Sequence, residues 1–211
     1  MPHRHPPAYP AIDWRDVAVA LDKHGYAILP GVLPLLCWQD LADEAQWMFG
    51  EGNFENARVG RAAETHREAT IRGDDLCWLN NAMPAGGAFL RWMDILRVVL
   101  NRDLFLGLGS FEAHYAHYPI GAGYGPHVDR HRDSNARVVS AVFYCNPDWV
   151  TNTGGEFVMY DAAGGTRFRL APEAGTLLLF MSADMRHEAC VATRERWSIA
   201  GWFRTTDAFG R

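Results

Sequence analysis

The chain reads as an α+β fold, with helices first and an antiparallel sandwich or jelly roll after them. Three observations predict this. Apolar residues before residue 105 recur at helical spacing. From residue 105 onward they alternate at period two, over eight short runs. Turn-forming residues separate those runs: Pro119-Ile120-Gly121, Asn146-Pro147-Asp148, Gly154-Gly155, Gly164-Gly165, then Pro172 and Gly175. With 211 residues the chain is most simply one domain with a full core, and no repeat, low-complexity tract or linker divides it.

Residues 1–11 form a Pro-rich start. Asp13 is placed to cap a first helix through about Lys23, with Trp14, Val17, Ala18 and Leu21 on one face. His24-Gly25 ends it, and Tyr26 to Leu29 is a short strand closed by Pro30-Gly31. A second helix runs from about Pro34 to Phe49, with Leu35, Trp38, Leu41, Ala45 and Met48 as its stripe, and Gly50 and Gly52 stop it. Residues 51–75, with Arg58, Arg61, Arg67 and Arg72, read as a long polar loop or irregular hairpin of the kind that often carries function. A third helix spans about Gly87 to Asn101. The strands then follow at 111–118, 124–130, 136–145, 155–160, 166–170, 175–181, 185–191 and 196–204. Because the helices come first, they are expected to buttress one sheet from outside.

Hydrophobic residues at 48% and charged residues at 21% are those of an ordinary soluble globular chain. A net charge of −5 argues against nucleic acid or an anionic membrane as partner. Cys37, Cys77, Cys145 and Cys190 are widely spaced and lie in apolar neighbourhoods, as buried free thiols in a reducing cytoplasm do. No apolar stretch resembles a signal peptide or a membrane span. A cytoplasmic monomer is the simplest expectation. Of 20 basic residues only Lys23 is a lysine, so any one arginine must be argued from position rather than identity.

The residues that carry chemistry are His127, Asp129 and His187, with Arg196 nine positions beyond. In a strand, residues i and i+2 share a face, so His127 and Asp129 can hold one ion together. Two histidines and one carboxylate leave coordination positions open, the ligand set of non-haem iron oxygenases. Arg196 then offers a dock for a carboxylate-bearing cosubstrate, although alone it could equally serve a structural ion pair. On the last strand Arg196, Ser198, Ala200 and Trp202 share one face, suited to a pocket, while Trp197, Ile199, Gly201 and Phe203 share the other. His131 is a rival ligand if its strand continues, but Arg130 to Asn135 is turn chemistry. His114 and His117 lie on opposite faces of the preceding strand, and His114 is assigned to the pocket lining. His3, His5, His24 and His66 are assigned to tail or solvent.

Residues 65–205 resemble the prolyl-hydroxylase branch of the 2-oxoglutarate- and Fe(II)-dependent dioxygenases. The likeness rests on Thr70-Ile71-Arg72-Gly73-Asp74 and Trp78; on Tyr118-Pro119, Gly123-Tyr124 and His127-Val128-Asp129; on Arg137 with Val142 to Asn146; and on Gly154-Gly155, His187-Glu188, Thr193, Arg196 and Trp202. It is similar to the hypoxia-sensing animal enzymes and to their bacterial relatives that hydroxylate a proline in elongation factor Tu. The resemblance implies a double-stranded β-helix (jelly-roll) core over 105–205, with 1–104 supplying helical support and the substrate loop. It implies Fe(II) on His127, Asp129 and His187. The distal carboxylate of 2-oxoglutarate would pair with Arg196 and Tyr144, and Tyr118 would touch the same cosubstrate. Tyr124, Arg137 and Trp202 would line the substrate mouth, and Arg72, Asp74 and Trp78 would belong to a closing loop. O2 is then the co-reactant, ascorbate a reductant, and succinate and CO2 the products. Two departures stand out: Ala200 replaces a hydroxyl-bearing residue of the animal enzymes, and the turn between Tyr118 and His127 is one residue shorter.

Two other readings compete. A related oxygenase could act on a small molecule or free amino acid, which a long Arg-bearing flap at 51–78 argues against. A cupin-like or lectin-like module with a structural metal needs a closed coordination sphere and has no use for Arg196 and Tyr144.

Overall fold

A computed structural model of the protein describes residues 7–57, 72–130 and 136–205. Helices α1 (Arg15–His24), α2 (Leu35–Gly50) and α3 (Pro84–Leu104) precede most of the strands. The strands are β1 (Tyr26–Leu29), β2 (Glu55–Asn56), β3 (Asp75–Trp78), β4 (Leu108–Tyr118), β5 (Tyr124–His127), β6 (Arg137–Tyr144), β7 (Phe157–Tyr160), β8 (Thr166–Leu170), β9 (Leu177–Met181), β10 (His187–Ala189) and β11 (Arg196–Thr205). They form a larger sheet in the order β1-β9-β6-β11-β4-β3-β2 and a smaller one in the order β5-β10-β7-β8, and every paired strand is antiparallel. This is the jelly roll that the period-two pattern predicts.

The two faces of the larger sheet do different work. On β11, Trp197, Ile199 and Phe203 join the helix-side core, while Arg196, Ser198, Ala200 and Trp202 line a cleft between the sheets. The helices cover the first face through Leu21 of α1, Leu41 of α2, and Phe89, Trp92 and Leu96 of α3. Strand β9 shows why a doubly buried strand reads as continuous apolar sequence. Leu177 and Leu179 pack toward the helices, whereas Leu178 and Phe180 pack between the sheets with Tyr144, Phe157 and Met159. Each such side chain contributes about 1.5–3 kcal/mol of burial.

Several boundaries differ from the sequence reading, each for a physical reason. Asp13 acts one residue early: its carboxylate accepts the Arg15 amide and pairs with the Arg15 guanidinium, and Trp14 is the N-cap. Leu35 is exposed rather than part of the α2 stripe, which is rotated to Cys37, Leu41, Ala42 and Ala45. That rotation also buries Glu44. Helix α3 starts at Pro84, three residues before its expected start, because the Glu44 carboxylate receives the Ala85 and Gly86 amides at 2.8 and 2.7 Å. Pro84 suits the first turn, where an amide would be spare. A Cβ on Gly86 would sit 2.9 Å from Leu79 and 3.0 Å from Glu44, so the glycine makes room for the cap. Within the expected 51–75 loop lie β2, the paired start of β3 and a bridge from Arg72 to Tyr124. Arg58, Arg61, Arg67, Thr70 and Ile71 lie outside the described residues, as do His3, His5, His66 and His131.

Glu44 also accepts the Tyr115 hydroxyl at 2.7 Å, joining α2, α3 and β4 through one buried carboxylate. Glu44→Ala leaves three buried donors unpaired and should cost about 3 kcal/mol or more, given the 1–3 kcal/mol penalty of each unmade bond. Urea unfolding measures this; a loss below about 1 kcal/mol would show that the three donors find other partners.

Candidate metal centre

Strand pairing brings the ligand candidates together. His127, the last residue of β5, faces His187, the first of β10, in direct register. Gly123 permits that pairing: a Cβ there would lie 2.8 Å from the Ala189 carbonyl oxygen. Asp129 lies in a bend two residues past the end of β5, so strand parity does not bring it to His127. The bend does, with the Arg130 amide held by the Ser182 carbonyl. The expected strand over 124–130 therefore ends at His127, and the expected 185–191 strand is only β10. Asp129 Oδ1 lies 3.5 Å from His127 Nε2, and Asp129 Oδ2 lies 3.8 Å from His187 Nε2. One ligand atom from each of the three residues falls within 4.8 Å of the others.

The proton arrangement suits a cation. His127 Nδ1 lies 2.8 Å from the Gly125 carbonyl, and His187 Nδ1 lies 2.8 Å from the Met185 carbonyl. A carbonyl only accepts, so both Nδ1 atoms carry the hydrogen. In the neutral rings both Nε2 lone pairs then face the carboxylate. Burial pushes the His187 imidazole down to about 4, against the pull of Asp129. Burial alone would raise the Asp129 carboxyl, but His187, His127 and the Ser140 hydroxyl hold it well below the usual carboxylate range. With both rings neutral, two lone pairs and one carboxylate converge on one point. A divalent ion fits that set, and Nδ1–H donated to a fixed acceptor is how metal-binding imidazoles are oriented.

The opposite wall of the cleft is cationic. Arg196 is 3% exposed, and among the described residues no carboxylate pairs with it. Its Nε donates to the Gly155 carbonyl at 3.0 Å and one terminal nitrogen to the Ser198 hydroxyl at 3.3 Å. The guanidinium carbon lies 4.9 Å from the Tyr118 ring centre and 5.3 Å from that of Tyr144. The Tyr144 hydroxyl is buried without a hydrogen-bond partner among the described residues. Burial pushes that phenol up to about 12, with Arg196 opposing. A buried guanidinium without a counter-charge is costly, and a donor hydroxyl beside it completes a site for a carboxylate.

The cleft, of about 310 Å³, opens past Trp78, Tyr124, Arg137 and Trp202. Arg72 forks onto the buried Asp74 carboxylate at 2.7 and 3.0 Å and covers the Tyr124 ring. Tyr124 stacks on the His127 ring at 3.6 Å. Arg137 lies 3.5 Å over Trp202, whose indole nitrogen has no partner among the described residues. His114 lines the cleft between Trp78 and Trp202; burial holds its imidazole down at about 4. His117 points the other way, stacked on Trp197. Thus every site residue named from the sequence lines or borders one cleft, with Tyr144 bordering it beside Arg196. Sequence reading missed Ser140, Ser182 and the Gly155 carbonyl. Ser140 shares its face of β6 with Val142 and Tyr144, and that parity was the available signal.

Residues 113–204 match the 2OG-Fe(II) oxygenase superfamily. Among curated relatives, Egl nine homolog 1 of Homo sapiens is 28% identical over 205 residues, covering 92% of this chain and 47% of the relative. The chain thus spans about half the length of that relative. A solved prolyl-4-hydroxylase of Pseudomonas putida superposes with a TM-score of 0.82 at 37% identity, covering 91% of this chain and 98% of that one. A Trichoplax adhaerens prolyl hydroxylase, solved with a hypoxia inducible factor oxygen degradation domain peptide fragment, gives 0.80 at 26% identity, covering 89% and 87%. On this likeness of sequence and fold, the chain belongs to the 2OG-Fe(II) oxygenase superfamily.

Proposed function

We propose that this chain is a 2-oxoglutarate- and Fe(II)-dependent dioxygenase that hydroxylates a prolyl residue of a protein substrate. The observation that carries the reading is Arg196: a buried, uncompensated guanidinium beside an unpartnered Tyr144 hydroxyl, on the wall of the cleft that holds the His127–Asp129–His187 cluster. Overall, one atom of O2 enters a substrate C–H bond, the other enters succinate, and CO2 leaves. Fe(II), held by His127, Asp129 and His187, supplies the oxygen activation when bound.

The protein side chains position and exclude. Nε and one terminal N–H of Arg196 are committed to Gly155 and Ser198, which fixes the plane of the guanidinium. Its remaining N–H groups and the neighbouring Tyr144 hydroxyl would receive the far carboxylate of the keto acid. Holding that end fixes the register of the other. The buried aromatic rings of Tyr118 and Tyr144 keep this end dry. Trp78, 48% exposed, stands with Trp202, Arg72 and Arg137 at a broad mouth that suits an extended peptide better than a small enclosed substrate. Elongation factor Tu enters as the substrate through the sequence resemblance to bacterial enzymes. The test is incubation with Fe(II), ascorbate, 2-oxoglutarate and elongation factor Tu from the same cell, followed by mass spectrometry for one added oxygen on a proline. Oxygen-dependent CO2 release without that mark would reassign the substrate; absence of both would overturn the reading.

Arg196→Ala should weaken 2-oxoglutarate binding on the order of 10–100-fold, the loss of one or two charge-assisted bonds, while Mn(II) affinity stays within about threefold. Parallel titrations with Mn(II) and with 2-oxoglutarate measure both; equal loss of the two would remove Arg196 from its role. His187→Ala should abolish succinate formation and weaken Mn(II) binding more than any change at the mouth does. Wild-type turnover in that variant would exclude His187 as a required ligand.

A further inference from the structure

The Asp129 carboxylate is held by a two-serine relay whose hydrogens can run in only one direction. Ser140 Oγ lies 2.7 Å from Asp129 Oδ2 and 2.8 Å from Ser182 Oγ. With Asp129 ionised, the carboxylate can only accept. The single hydroxyl hydrogen of Ser140 is therefore spent on Oδ2, so Ser140 must accept from Ser182. Both serines are buried, at 1% and 0% exposure, so water does not compete for these bonds. Ser182 grips the same segment a second time: its carbonyl accepts the Arg130 amide at 3.2 Å, and its own amide donates to Val138 at 2.9 Å. It follows directly on β9 and stands five residues before His187.

We propose that Ser182 and Ser140 are positioning residues for the metal. They fix the rotation of the Asp129 carboxylate, load Oδ2 with a hydrogen bond, and leave Oδ1 as the oxygen for the ion. Asp129 follows β5 in a bend, where no strand pairing fixes its side chain, so it needs this outside support more than the two histidines do. Each histidine has its own carbonyl acceptor two residues upstream. Because Ser182 lies on the connection from β9 to β10, the relay also ties the Asp129 bend to the segment that delivers His187. This inference rests on the metal assignment above.

The test is Mn(II) affinity of the full chain, measured without 2-oxoglutarate or substrate by the electron paramagnetic resonance signal of free ion. Ser140→Ala should raise the Mn(II) dissociation constant about tenfold or more, in the range found for lost outer-shell partners of metal ligands. Ser140→Thr should restore it. Ser182→Ala should raise it less, and the double change should be no worse than Ser140→Ala alone, because Ser182 acts through Ser140. Thermal unfolding of each metal-free variant separates misfolding from lost positioning. If Ser140→Ala does not fold, a weakened Mn(II) site in folded Ser182→Ala carries the test. Wild-type affinity in Ser140→Ala, or strictly additive losses in the double variant, would overturn the relay while leaving the oxygenase reading intact. Failure of the wild-type chain to bind Mn(II) would overturn both.

Discussion

Strand β11 is the member on which the site depends. It lies between β4 and β6, and its register sets Arg196 opposite Tyr118 and Ser198 opposite Tyr144. Those two pairings place a guanidinium between two phenol rings contributed by strands distant in sequence. A one-residue slip would turn Arg196 toward the helices and Trp197 into the cleft, because side chains alternate faces at period two. The cost of that slip is large on both sides. Trp197, Ile199 and Phe203 would leave the helix-side core, and a cation would enter it. Hydrophobic packing behind the sheet thus enforces the polar arrangement in front of it.

The two ends of the cleft are electrically complementary to one kind of ligand. At one end, histidine lone pairs and a carboxylate converge and call for a cation. At the other, Arg196 and the Tyr144 hydroxyl call for an anion. At the first end the three ligand atoms lie within 4.8 Å of one another, and at the second the Tyr144 hydroxyl has no hydrogen-bond partner among the described residues. A small molecule with a metal-chelating head and a carboxylate tail answers both demands, and a keto dicarboxylate is such a molecule. A structural metal module would satisfy the first end and leave the second as an unexplained expense of folding.

Much of this was legible in the sequence. Period-two alternation marked β4, β6 and β11 because each has one face on the helix-side core and one on the cleft. The same parity separated Arg196 and Trp202 from Trp197 and Phe203. Other parts were not legible, for definable reasons. The spacing in α2 predicts an apolar stripe, in which a buried glutamate is invisible; Glu44 belongs there only because α3 presents two bare amides. The sequence around β3 predicts loop, because its four residues gain their identity from pairing with β4, not from their own pattern. His127 and Asp129 were brought together by strand parity, yet the bend after β5 does the work. Ser140 and Ser182, two common residues 42 positions apart, carry no local pattern that links them.

The candidate metal and cosubstrate residues share one more property that follows from antiparallel pairing. Tyr118 ends β4, His127 ends β5 and Tyr144 ends β6, while His187 begins β10 and Arg196 begins β11. In antiparallel neighbours the end of one strand lies beside the beginning of the next, so Tyr118 and Tyr144 flank the start of β11 at one end of the cleft and His127 meets His187 at the other. A strand terminus combines two conditions that seldom coincide. Its backbone is held by the ladder on one side, and its side chain faces a cleft that the connecting segments leave open. Asp129 is the exception, since it lies beyond its ladder, and it is also the candidate ligand whose carboxylate is held by a pair of serines. Where the sheet stops supplying rigidity, buried hydrogen bonds supply it instead.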